Sequence, residues 1–75
     1  MFDIHVFSLR LKELRTTKGL SQQALADILG VTKTQISDME RSKVTTSLER
    51  LVMLADVLDV STDYLLGRSD IPERR

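Results

Sequence analysis

The residues best equipped for chemistry in this chain lie between positions 32 and 46, and what they offer is hydrogen bonding rather than bond-making. In the run TKTQISDMERSK, which begins at Thr32, a helical advance of about 100° per residue puts Ile36 and Met39 on one side. Thr34, Ser37, Asp38 and Arg41 then project to the other, with Lys33 and Gln35 on the flanks. Such a face matches what the edges of base pairs present. A Lys33 ammonium can donate to guanine O6 and N7, and a Gln35 amide turned inward can pair with adenine. The methyl groups of Thr32 and Thr34 can meet a thymine methyl. Asp38 repels phosphate, so it either accepts from a cytosine N4 or is oriented by Arg41 or Lys43. A polar helix face alone is ordinarily just a solvated one, and the elements around it decide which it is.

Those elements are written in residues 20–43, LSQQALADILGVTKTQISDMERSK. Two short amphipathic segments meet there at a glycine. Counted from Gln22, Ala26 is fifth, Gly30 ninth, Ile36 fifteenth and Met39 eighteenth. Ala26 is small enough for one helix to cross close over the other. Gly30 can take a positive φ without steric cost and turn the chain sharply. Leu25, Leu29, Ile36 and Met39 point inward and lock the crossing. This spacing is a helix-turn-helix, whose second helix is built to enter a DNA major groove. Two further sets of groups would then hold phosphates. Ser21 and Gln22 open the first of the two helices, where free N–H groups and the positive dipole end favour an anion. Arg41, Lys43, Thr45 and Thr46 follow the second and would clamp the opposite side of the groove.

Around this unit the sequence predicts three more helices. One runs from about Phe7 to Lys18, with Leu11 and Leu14 inward and Gly19 to terminate it. Ser21 caps the next, and Thr32 with Gln35 makes a capping box for the one after. Thr46 with Glu49 repeats that box and opens a helix that buries Leu48, Leu51, Leu54, Ala55 and Leu58. Ser61 caps a last short helix through Tyr64, Leu65 and Leu66, stopped by Gly67. The domain is therefore expected over 7–67, with its helix-turn-helix core over 21–41 and a flexible tail over 68–75. Residues 1–6 read as an N-terminal arm, because Phe2, Ile4 and Val6 alternate with Asp3 and His5 at strand period. The arm could fold loosely onto the domain, or pair with its copy across a dimer. Alternatively, the first helix starts earlier.

Composition narrows the functional classes. Seventy-five residues make one small domain. With no cysteine there is no disulfide or cysteine zinc site, and one histidine, His5, cannot build a metal cluster. No cofactor is expected. Asp38 and Glu40, two apart on a helix, diverge by about 200° and are no catalytic pair. Neither a glycine-rich phosphate loop nor a nucleophile beside a base is present, so catalysis is not expected. No apolar run approaches a membrane span and the N-terminus lacks a signal-peptide layout, so a soluble cytoplasmic protein is the simplest reading. Eleven basic residues balance eleven acidic ones. The basics dominate before residue 44, whereas Glu49, Asp56, Asp59 and Asp63 face only Arg50 from 45 to 67. One basic and one acidic side should result.

From about Arg10 to Gly67 the chain resembles the Cro/C1-type helix-turn-helix family, through RLKELRTTKGLSQQALADILGVTKTQIS, then MERSK, then SLERLVMLADVLDVSTDYLLG. The resemblance implies an all-α fold of five helices, lambda-repressor-like, that binds operator DNA as a homodimer. It places Lys33, Thr34 and Asp38 at base-reading positions and Gln22 on the phosphate backbone. It also implies a partly buried salt bridge between Arg15 and Glu40. Where many relatives have glycine after the recognition helix, this chain has Ser42, which costs about 1 kcal/mol if φ there is positive. Met53 and Val57 on the fourth helix, with Val60, Ser61, Thr62 and Tyr64, are the candidates for a dimer surface. The expected function is a transcriptional repressor that occupies a two-fold operator. The alternative is an antitoxin or other protein-interaction module, bound to a protein partner and only secondarily to DNA.

Overall fold

Each helix of this protein begins on a side-chain oxygen that accepts an N–H from its own first turn. In the computed structural model, which describes residues 1–73, the helices are α1 (Ile4–Thr17), α2 (Gln22–Leu29), α3 (Lys33–Glu40), α4 (Leu48–Leu58) and α5 (Thr62–Leu65). Asp3 accepts from the N–H of His5 at 2.9 Å, Ser21 from Ala24 at 3.0 Å and Thr32 from Gln35 at 3.1 Å. Ser47 accepts from Arg50 at 3.2 Å, and Ser61 from Tyr64 at 3.0 Å. Each cap satisfies a donor that the helix itself cannot. At Thr32 the box is complete, since the Gln35 side chain returns to the Thr32 N–H at 3.0 Å.

Two of these starts differ from the sequence expectation. The arm is not extended: residues 4–6 are the first turn of α1, capped by Asp3. Once helical, Ile4, Phe7, Ser8 and Leu11 fall on one stripe, with Phe7, Ser8 and Leu11 fully buried, and Phe2 lies tilted against Phe7 at 6.2 Å. For α4 the cap is Ser47, not Thr46, so the helix starts one residue later. Leu48 thereby becomes its first residue and stands 83% exposed rather than buried.

The core draws on every helix. Phe7 and Leu11, Leu25, Ala26 and Leu29, Ile36 and Met39, Leu54, Ala55 and Leu58, then Val60 and Leu65 are all buried. Gly19 and Gly30 end α1 and α2 with φ of 73° and 70°, in the left-handed region where glycine has no Cβ penalty. Gly30 sends the chain directly back, so α2 and α3 pack more extensively on each other than any other pair.

The tail, expected to fray, is tied down as far as it is described. Arg10 on α1 donates to the carbonyls of Tyr64 at 2.6 Å and Ser69 at 2.8 Å, and reaches Asp70 at 3.1 Å. Its guanidinium lies 4.1 Å above the Tyr64 ring centre, a cation–π contact. Beyond it, the Ser61 N–H donates to the Pro72 carbonyl at 2.9 Å. The last two positions of the expected flexible tail, 74–75, fall outside the described residues.

Candidate nucleic-acid interface

The recognition helix α3 is gripped on its inner side before its outer side can do anything. Ile36 and Met39 are buried in the core. Three polar residues of α1 then hold the end of α3. The Ser8 hydroxyl, itself buried, donates to the Met39 carbonyl at 2.5 Å. His5 Nδ1 and Ser42 Oγ are 3.1 Å apart. Arg15 makes a two-pronged bridge to Glu40, Nε to Oε2 at 2.5 Å and Nη2 to Oε1 at 3.0 Å. The two side chains retain only 10% and 3% exposure. The hydrogen bond to Glu40 raises the Arg15 pKa above its ordinary value, outweighing the opposing effect of burial. Arg15 also donates to the Leu20 carbonyl at 2.7 Å, so α1, the α1–α2 turn and α3 share one guanidinium.

Gln22 joins this network. Its Nε2 donates to Glu40 Oε1 at 3.1 Å, so the amide expected on a phosphate is turned toward the bridge. Sequence reading did not foresee that, nor the role of Ser8. The signal was available for Ser8, because Ser8, Leu11 and Arg15 follow the inward stripe of α1. Gln22 is the first residue of α2, next to the Ser21 cap, where a backbone N–H has no partner within the helix.

Outside, the remaining candidates fall into two groups. Lys33, Thr34 and Gln35 lie exposed along the first turn of α3, with Thr32 exposed as its cap, while Ser37 and Asp38 are half-buried farther along. Gln35 and Asp38 line a groove of about 300 Å³ together with Thr45, Thr46 and Arg50. Candidate base-reading and phosphate-holding residues therefore share one depression between α3 and the start of α4. Two side chains are already committed inside it. Gln35 already lends its Oε1 to the Thr32 N–H, which leaves its NH2 group as the part not engaged in the cap. Asp38 is held by Arg41 at 2.7 Å, one of the two orientations open to it from sequence. Lys43 is exposed in the following loop, where Ser42 does adopt positive φ, at 63°.

The candidate pairing residues are only partly exposed. Met53 and Val57 are half-buried and pack against the core, and so does Tyr64 under Arg10. Thr62 is half-buried at the start of α5. The exposed apolar pair of α4 is instead Leu48 and Val52, because the buried stripe through Leu54, Ala55 and Leu58 has apolar residues on both of its flanks.

The sequence model of the helix-turn-helix family HTH_3 matches residues 11–65, most of the chain and all of α2 and α3. The chain belongs to the Cro/C1-type helix-turn-helix family. Among family members, a prophage-derived uncharacterized HTH-type transcriptional regulator, YonR of Bacillus subtilis, is 46% identical over 61 residues, covering 81% of this chain and 56% of YonR. The chain spans about half the length of the curated relatives it matches. Two DNA-bound relatives of known structure align over nearly the whole of their solved chains. The P22 c2 repressor in complex with a synthetic operator superimposes with a TM-score of 0.80 at 33% identity, over 85% of this chain and 97% of that one. SinR, described as a master regulator for biofilm formation and solved in complex with DNA, gives 0.72 at 39% identity, over 80% and 97%. The five-helix fold is that of lambda-repressor-like DNA-binding domains. Among the described residues no helix is long and apolar enough to cross a membrane.

Proposed function

We propose that this helix-turn-helix protein is a sequence-specific DNA-binding regulator of transcription that acts in the cytoplasm as a repressor, by occupying its operator. The observation that carries the reading is the single groove shared by α3 and the start of α4, seated on a recognition helix whose inner side is fixed to α1. Lys33, Thr34, Ser37 and Asp38 would meet base edges, with Thr32 and Gln35 at the helix start. Ser21, the Gln22 N–H, Arg41, Lys43, Thr45 and Thr46 would hold phosphates on either side. Relatives named as transcriptional regulators, and the operator-bound P22 c2 repressor, support that assignment.

One domain of this size covers too little duplex for strong specificity, and two copies on a two-fold operator supply the rest. Met53, Val57, Thr62 and Tyr64 are the proposed pairing residues. Balanced charge makes non-specific binding weak, so binding at ~0.15 M salt depends on base contacts. This makes the chain a binding protein rather than an enzyme. Titration of labelled duplex with wild type and Lys33→Ala tests it. Wild type should distinguish its operator from random duplex at that salt, and the variant should lose the distinction while remaining folded. Equal affinity of wild type for all duplexes would refute it.

A further inference from the structure

The groove between α3 and the start of α4 holds a cation that the base- and phosphate-contacting residues named so far leave out. Arg50, the third residue of α4, lines it together with Gln35, Asp38, Thr45, Thr46 and Ser47. In sequence Arg50 stands among the acids of the second half of the chain, yet the fold turns it to the side of the recognition helix. Arg10, Arg15 and Arg41 each have a carboxylate partner. Arg50 is half-buried, and among the described residues its guanidinium has no hydrogen-bond or ion-pair partner. Such a group offers five N–H donors in a planar fork that suits a phosphate. Asp38 is the other charged residue lining the groove, and Arg41 meets its carboxylate at 2.7 Å. Among the described residues the uncompensated charge of the groove is therefore positive, and it is that of Arg50.

We propose that Arg50 is a further phosphate-binding residue, which takes a phosphodiester group of the DNA backbone into this groove beside the Thr45 and Thr46 hydroxyls. The lining around Arg50 favours a ligand that only accepts. Thr45 and Thr46 can donate, and Ser47, whose oxygen already accepts the Arg50 N–H at 3.2 Å, keeps its own O–H to give. A phosphodiester oxygen is such an acceptor. Arg50 also explains how an aspartate can sit in a groove that meets a polyanion. If Arg41 leaves Asp38 for a phosphate of its own, Arg50 still balances that carboxylate. The inference rests on the reading that this groove faces DNA, but not on sequence selectivity, because a phosphate contact is the same on every duplex.

Titration of a mixed-sequence duplex over ~0.05–0.2 M salt tests it, with each variant first shown by thermal melting to be folded. Arg50→Gln keeps much of the stem and drops the charge. It should weaken binding roughly tenfold and lower the salt slope by about one. Arg50→Lys should keep the wild-type slope. Arg68→Gln removes the same charge from an exposed position outside the groove and should leave the slope in place. A wild-type slope in Arg50→Gln, or an equal loss in Arg68→Gln, would overturn the proposal. So would a loss that spares the mixed duplex and shows only on a selected operator, since that would give Arg50 to base edges. Wild-type protein that binds no duplex at the lowest salt would remove the DNA reading as well, so the two failures are distinct.

Discussion

Arg15 and Glu40, one on α1 and the other the last residue of α3, face each other through two parallel N–H···O contacts in a nearly dry interface. A carboxylate so enclosed cannot exchange its partner for water. The recognition helix therefore has one angle relative to α1, as long as both charges remain.

Removing one of the pair should cost far more than removing both. Glu40→Gln or Arg15→Met leaves an uncompensated buried charge or donor and should destabilise by about 3–5 kcal/mol, a large share of the stability of a domain this small. The double variant Arg15→Met/Glu40→Leu should recover most of the loss. Urea denaturation measures all three. Because the Arg15 pKa is raised on folding, its contribution is complete below the unfolded value and disappears only as pH rises through the still higher folded one. The arginine's share should therefore be constant through neutral and mildly alkaline pH.

Ser42 stands at φ 63°, where a Cβ is unfavourable. Ser42→Gly should stabilise by about 1 kcal/mol, a rise of several degrees in Tm for a domain of this length. The contact to His5 that the variant gives up is exposed and should offset little of that gain. A Tm equal to or below wild type would mean that the His5–Ser42 link outweighs the backbone strain.

Much of this architecture was legible because it is local. The caps at Ser21, Thr32 and Ser61 and the turns at Gly19 and Gly30 follow from residues within four positions of each other, as does the buried pattern of Leu25, Leu29, Ile36 and Met39. Where two local signals competed, the wrong one could win. Thr46 and Ser47 are both good caps, and the choice between them rests on how α4 packs. Phe2, Ile4 and Val6 alternate, yet Ile4 and Val6 belong to a first helical turn once Phe7 and Leu11 are counted. The grip of Arg10 on Ser69 and Asp70 spans some sixty positions, and the turn of Gln22 toward Glu40 joins two helices. No periodicity contains such contacts.

Gln35 separates capping from reading. Gln35→Glu keeps an acceptor for the Thr32 N–H but replaces the NH2 donor with a charge, so stability should hold while operator affinity falls. Thr32→Ala removes the hydroxyl acceptor and should cost about 0.5–2 kcal/mol in stability. Thermal melts and duplex titrations on the same samples distinguish the two. Loss of stability in Gln35→Glu would show that the amide has a further structural role.

Lys33 and Lys43 should fail in different ways. Lys33→Ala removes a base contact and should lower discrimination against a mismatched site by about 1–3 kcal/mol. Lys43→Ala should weaken binding to all duplexes alike and reduce the salt slope by about one. Titrations at several salt concentrations, on operator and scrambled duplex, check both. The reverse pattern would exchange their roles.

The central claim is that α3 reads base sequence, and selection from a random duplex library at ~0.15 M salt tests it most directly. Wild type should enrich a two-fold motif with half-sites centred ~34 Å apart, and Lys33→Ala, confirmed to be folded, should lose it. Failure of folded wild-type protein to enrich any motif would contradict the claim.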